Sequence, residues 1–124
     1  MGASILVVDD SALVRNRLAQ SLGAAGFVVT TAVDGEDALE KLMIPPEPAL
    51  VICDVNMPKM NGIELLEQMK ENGVLARTTV LMLTTEGQPE LIAQARALGA
   101  KGWIIKPFRP ELLVAAAQRL TGTS

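Results

Sequence analysis

Five side chains with chemical potential stand at the ends of apolar runs in this sequence. Asp9 and Asp10 follow Ile5–Val8, Asp54 follows Ala49–Cys53, Thr84 follows Val80–Leu83 and Lys106 follows Gly102–Ile105. Runs of four or five apolar residues read as buried parallel strands. Open α/β sheets place their ligand sites just outside the carboxyl ends of such strands. Three carboxylates brought together there repel one another and must be neutralised. A hard divalent cation with oxygen ligands does this, and Mg²⁺ uses one or two carboxylates and keeps its waters. Lys106 adds a point of positive charge, and the Thr84 hydroxyl can donate to an oxyanion. The set suits phosphoryl transfer, in which one carboxylate attacks phosphorus while cation, ammonium and hydroxyl hold the other oxygens. Taken singly, each residue has a plainer explanation. Asp9, Asp10 or Ser11 could cap a helix, Thr84 could close a strand and Lys106 could be a solvated lysine. Asp54 is harder to dismiss, because Asp is depleted in strands.

The elements that must position these groups alternate along the chain. Strands are expected at 4–8, 27–32, 49–53, 79–83 and 102–105. Helices are expected at 11–24, with Leu13, Val14, Leu18 and Leu22 at helical spacing; at 36–42, capped by Asp34; from Gly62 to about Asn72; at 88–98, with Leu91, Ile92, Ala95 and Leu98 inward; and from Pro110 onward. Pro45, Pro46 and Pro48 break the chain before the third strand. Five βα units with right-handed crossovers form a doubly wound, five-stranded parallel sheet with helices on both faces. Alternation does not fix the strand order; the flavodoxin-like order 2-1-3-4-5 is one common solution. The 124 residues suffice for one domain, spanning 1–124.

Composition removes several function classes. The sequence contains no histidine, so no imidazole base, ligand or phosphohistidine can form in it. Its net charge is −3 with no basic block, which argues against direct nucleic-acid binding. Phe27, Trp103 and Phe108 are the only aromatics, too few to stack bases or a flavin. No apolar stretch is long enough for membrane insertion, and Met1–Ser4 lacks a basic leader. The lone Cys53 fits a reducing cytoplasm and reads as a small buried hydrophobe.

Asp9-Asp10, Asp54, Thr84 and Lys106-Pro107-Phe108, with the tract Asp54-Val-Asn-Met-Pro-Lys-Met-Asn-Gly62, resemble the receiver domain of two-component response regulators. The similarity covers essentially the whole chain and runs nearest to the stand-alone chemotaxis regulators of that family. It implies that Asp54 accepts a phosphoryl group from a sensor histidine kinase or histidine phosphotransfer protein. It further implies Mg²⁺ ligated by Asp10, Asp54 and the Asn56 carbonyl, with Asp9 acting through water. Lys106 would pair with the phosphoryl group, and the Lys106–Pro107 bond would be cis. Thr84 and Trp103 would form the switch, with Trp103 replacing the usual Tyr or Phe and not expected to bury fully. Asn56, Thr85 and Glu86 would tune the lifetime of the acyl phosphate. The fourth helix, fifth strand and fifth helix would bind a downstream protein, Ile92 and Ile105 keeping that face apolar. Such a protein is no enzyme beyond its own phosphorylation and dephosphorylation. Two alternatives stand beside this reading: a phosphorelay intermediate or phosphate sink, and, more remotely, a Mg²⁺-dependent phosphatase with an aspartyl nucleophile. The phosphatase would want an acid two residues past the nucleophile, where this chain has Asn56.

Overall fold

The structure, a computed structural model, describes residues 2–85 and 89–122. Its elements run β1 (Ser4–Val8), α1 (Ala12–Ala24), β2 (Val28–Ala32), α2 (Gly35–Leu42), β3 (Leu50–Asp54), α3 (Gly62–Glu71), a 3₁₀ turn (Val74–Ala76), β4 (Thr79–Thr84), α4 (Pro89–Leu98), β5 (Gly102–Ile105) and α5 (Pro110–Thr121). The five strands pair in parallel in the order β2-β1-β3-β4-β5. This is the doubly wound order proposed from sequence, and it puts β1 beside β3.

Side chains alternate along each strand, so one strand feeds two cores. Leu6, Val8, Val51, Cys53, Val80 and Met82 face α2, α3 and α4, which contribute Ala38, Leu42, Leu66, Met69 and Ala95. Ile5, Val7, Leu50, Ile52, Leu81 and Leu83 face α1 and α5, which contribute Leu18, Leu22, Leu113 and Ala117. Both faces of β1, β3 and β4 are covered, which is why their sequences are unbroken apolar runs. Burying each Leu or Ile fully is worth about 1.5–3 kcal/mol. The edge strand β2 instead alternates exposed and covered residues.

Helix starts follow local chemistry. The Ser11 hydroxyl accepts from the Val14 amide, the Asp34 carboxylate from the Asp37 amide, and Asn61 forms a reciprocal capping box with Glu64. Because Ser11 supplies the α1 cap, the carboxylates of Asp9 and Asp10 are not consumed in capping. Among the described residues, no helix is long and apolar enough to cross a membrane.

Two expectations need adjustment, and a third falls outside the described residues. Strands β3 and β4 each run one residue further than their apolar patterns, so Asp54 and Thr84 are the last residues in their ladders, opposite Leu83 and Ile105. Leu13, grouped by spacing with Val14, Leu18 and Leu22, is 61% exposed and not part of their stripe. At about 100° per residue it lies roughly 140° around α1 from Leu18, off the Val14–Leu18–Leu22 stripe that packs on the core. The helix expected from residue 88 is seen from Pro89; Gln88 lies outside the described residues.

Candidate functional site

The carboxyl ends of β1 and β3 bring Asp9, Asp10 and Asp54 together, with one oxygen from each lying within 4.8 Å of the others. Asp9 is fully buried: its Oδ1 accepts from the Ser11 amide at 2.9 Å and its Oδ2 from Lys106 Nζ at 2.9 Å. Lys106 arrives from the end of β5, just before the cis Lys106–Pro107 bond, and its Nζ lies 3.6 Å from Asp54 Oδ2. One ammonium therefore bridges two buried carboxylates. Asp10 is exposed, and its carboxylate makes no hydrogen bond or ion pair among the described residues. The donor set fits a hard divalent cation: Asp10 and Asp54 present oxygens at the mouth of the pocket, while Asp9 is committed to protein donors.

Burial pushes the Asp54 carboxyl above the usual carboxylate range, and the charges of Asp9 and Asp10 push it further. The Lys106 ammonium and the Asn56 backbone N–H only partly counter this. Burial alone would depress the Lys106 ammonium, yet its hydrogen bond to Asp9 and the charges of Asp9 and Asp54 leave its pKa above the ordinary lysine value. The pocket thus carries excess negative charge that one lysine does not cancel.

The other predicted residues are distributed around this centre. Thr84 is fully buried at the end of β4. Asn56 is exposed two residues beyond Asp54, in the loop to α3. Thr85 is exposed and lines a groove with Val14, Arg17, Leu18, Lys106, Pro107 and Phe108. Trp103 stands outside the acid pocket, paired with Met82 and packed on the α4 side of the core. It is half-buried, with its indole N–H enclosed and without an acceptor. Ile105, 48% exposed, and Leu112, 57% exposed, line a hollow beside Trp103 on the surface of β5 and α5. Ile92 is half-buried on α4. Glu86 lies outside the described residues.

Two contacts beside the acid loops were not expected from the sequence. A Cβ at Gly62 would sit 2.4 Å from the Asp54 carbonyl oxygen and 2.9 Å from the Val55 Cα, so α3 can begin this close to the acid loop only with glycine. Its amide donates to the Val55 carbonyl at 2.9 Å. Arg15 donates from Nη1 to the Asp9 carbonyl. A signal for each was present: a poor helix former just inside a helix, and a cation at a helix N-terminus.

The family profile of the response regulator receiver domain matches residues 5–118. The chemotaxis protein CheY1 of Helicobacter pylori is 33% identical over 121 residues, covering 97% of this chain and 98% of its own. The chemotaxis protein CheY of Treponema pallidum is 43% identical over 106 residues, covering 84% of this chain and 72% of its own. The solved structure of the Vibrio cholerae chemotaxis protein CheY4, crystallised at pH 4.0, superposes with a TM-score of 0.90 at 41% identity, covering 97% of this chain and 99% of that one. A profile spanning nearly the whole chain, and full-length relatives above 30% identity, agree with the acid pocket at the carboxyl end of a 2-1-3-4-5 sheet: the chain belongs to the response regulator receiver domain family.

Proposed function

We propose that residues 1–124 act as a phosphorylation-controlled switch of the chemotaxis type, with Asp54 as phosphoacceptor. The observation that carries this reading is the cluster of Asp9, Asp10 and Asp54 oxygens within 4.8 Å, with the Lys106 ammonium bridging two of the three carboxylates. An Asp54 oxygen attacks the phosphorus of a phosphohistidine on a kinase. A P–O bond forms, the P–N bond breaks, and the leaving imidazole takes a proton from water. Lys106 turns from Asp54 to a phosphoryl oxygen, and the Thr84 hydroxyl donates to another. Mg²⁺, when bound through Asp10, Asp54 and the Asn56 carbonyl, with Asp9 reached through water, supplies the positive charge that the pocket lacks. Water then hydrolyses the acyl phosphate at a rate tuned by Asn56, Thr85 and Glu86.

The groove beside Lys106 suits approach of the donor, since its Val14, Leu18, Pro107 and Phe108 walls lead to the ammonium. On the output side, inward movement of Thr84 is coupled to Trp103 across adjacent strands, changing the face of α4, β5 and α5 on which Ile105 and Leu112 are exposed. That face binds the downstream protein. This chemistry needs kinase and target in one compartment, the cytoplasm. The test is intact mass after exposure to phosphoramidate and Mg²⁺. Wild type gains one phosphoryl group and Asp54→Asn gains none; equal uptake by both would refute the assignment of Asp54.

A further inference from the structure

Arg15 occupies the first turn of α1, four residues past the Ser11 cap. The partial positive charge of a helix N-terminus disfavours a cation there, and no acidic residue in that turn compensates it. The half-buried guanidinium turns back out of the helix, where Nη1 donates to the main-chain carbonyl of Asp9 at 2.6 Å. That carbonyl belongs to the peptide joining Asp9 to Asp10. The rest of Asp9 is also fixed: its amide donates to the Ala32 carbonyl at 3.2 Å, and its two carboxylate oxygens are held by the Ser11 amide and Lys106. Asp10 is different. Its exposed carboxylate has no hydrogen-bond or ion-pair partner among the described residues, so its direction is set by its backbone.

We propose that Arg15 is a positioning residue for the acid pair: by holding the Asp9 carbonyl, it fixes the Asp9–Asp10 peptide plane and aims the Asp10 carboxylate at the space shared with Asp54. The proposal rests on the reading of this pocket as a cation-assisted phosphoacceptor site. It has a sign that separates it from a simple charge effect. Removing a cation near three carboxylates would, by charge alone, tighten the binding of a divalent ion. Loss of a positioning contact loosens it, typically by about 10–100-fold for groups that orient metal ligands.

The probe is Mn²⁺, an oxygen-preferring ion whose free form gives a quantifiable electron paramagnetic resonance signal. Wild type, Arg15→Met and Arg15→Lys are titrated at constant ionic strength, with urea midpoints taken on the same samples. Arg15→Met is expected to bind Mn²⁺ about tenfold more weakly, and Arg15→Lys, which keeps a donor but not the planar fork, to recover part of the loss. Should the methionine variant not fold, Arg15→Gln, a good helix former whose donor ends two bonds short, makes the same comparison. Binding by the neutral variant that equals or exceeds wild type overturns the role of Arg15 alone. Absence of Mn²⁺ binding in wild type overturns the metal reading of the pocket, and this proposal with it.

Discussion

Replacing Lys106 by methionine tests how the pocket is held together without a metal. The ammonium lies 2.9 Å from Asp9 Oδ2 and 3.6 Å from Asp54 Oδ2, with only 16% of its side chain exposed. At an effective dielectric of about 20, such pairs gain about 6 and about 5 kcal/mol before solvation is counted. Withdrawing the ammonium from water cancels several kcal/mol of that gain. Methionine fills similar space but leaves Asp9, fully buried, with one oxygen unpaired. Removing one partner of a buried pair costs about 3–5 kcal/mol, and that is the expected loss of stability.

The assay is urea denaturation in a chelating buffer, followed by fluorescence of Trp103, the only tryptophan. For a urea m-value of about 1–3 kcal/mol per M, the midpoint falls by at least about 1 M with little change in slope. The pH dependence has a definite sign. The Lys106 pKa is raised in the folded state, so its contribution is fully present below the unfolded lysine value of about 10.4 and is lost as pH rises through the folded value above it. The gap between wild type and variant therefore persists through neutral pH and, on the alkaline side, closes only in strong alkali. At one fixed Mg²⁺ concentration the gap should narrow, because a pocket without the ammonium binds the cation more tightly, and each tenfold drop in Kd adds about 1.4 kcal/mol to the variant. A variant whose midpoint matches wild type in chelator at pH 7 would refute the coupling of this lysine to the two carboxylates.

Three further outcomes follow from the same geometry. Asp54→Asn should raise the urea midpoint of the metal-free protein at neutral pH: the raised Asp54 pKa means that its ionised form destabilises the fold, a penalty absent below the unfolded value of about 3.9, so the gain should vanish in acid. Gly62→Ala should cost about 1–3 kcal/mol by overpacking, because its Cβ would press on the Asp54 carbonyl at 2.4 Å; thermal denaturation measures this, and an unchanged midpoint would contradict the close approach. Cys53 is fully buried, its thiol donates to the Asp54 carbonyl at 3.2 Å, and burial followed by the charges of Asp54 and Asp9 pushes its pKa far up. It should resist a thiol-reactive disulfide until urea unfolds the chain, and rapid labelling of native protein would contradict that burial.

What the sequence disclosed depended on whether a requirement falls on side-chain type or on backbone geometry. Strands β1, β3 and β4 were visible because two covered faces demand apolar residues at every position. The polar residue ending each run marked the sheet edge where the carboxylates and Lys106 meet. Leu13 was misgrouped because it precedes Val14 by one residue and Leu18 by five, a spacing that turns it off the Val14–Leu18–Leu22 face. Gly62 and Arg15 were unread as positioning residues because each serves a backbone carbonyl, of Asp54 and of Asp9, and carbonyls carry no mark in the sequence.

Asp9 and Asp10 show the boundary most sharply. They are identical neighbours, and residue type alone assigns them the same chemistry. One turn of the chain past β1 sends the first inward, to be saturated by Ser11 and Lys106, and the second outward, with its carboxylate unpartnered among the described residues. Fully committed carboxylate oxygens make Asp9 an anchor for the lysine, and an unpaired carboxylate at the pocket mouth makes Asp10 the readier inner ligand for a cation. Exchange of their roles would require Lys106 to leave Asp9, breaking a 2.9 Å hydrogen bond and leaving a fully buried carboxylate without its cation.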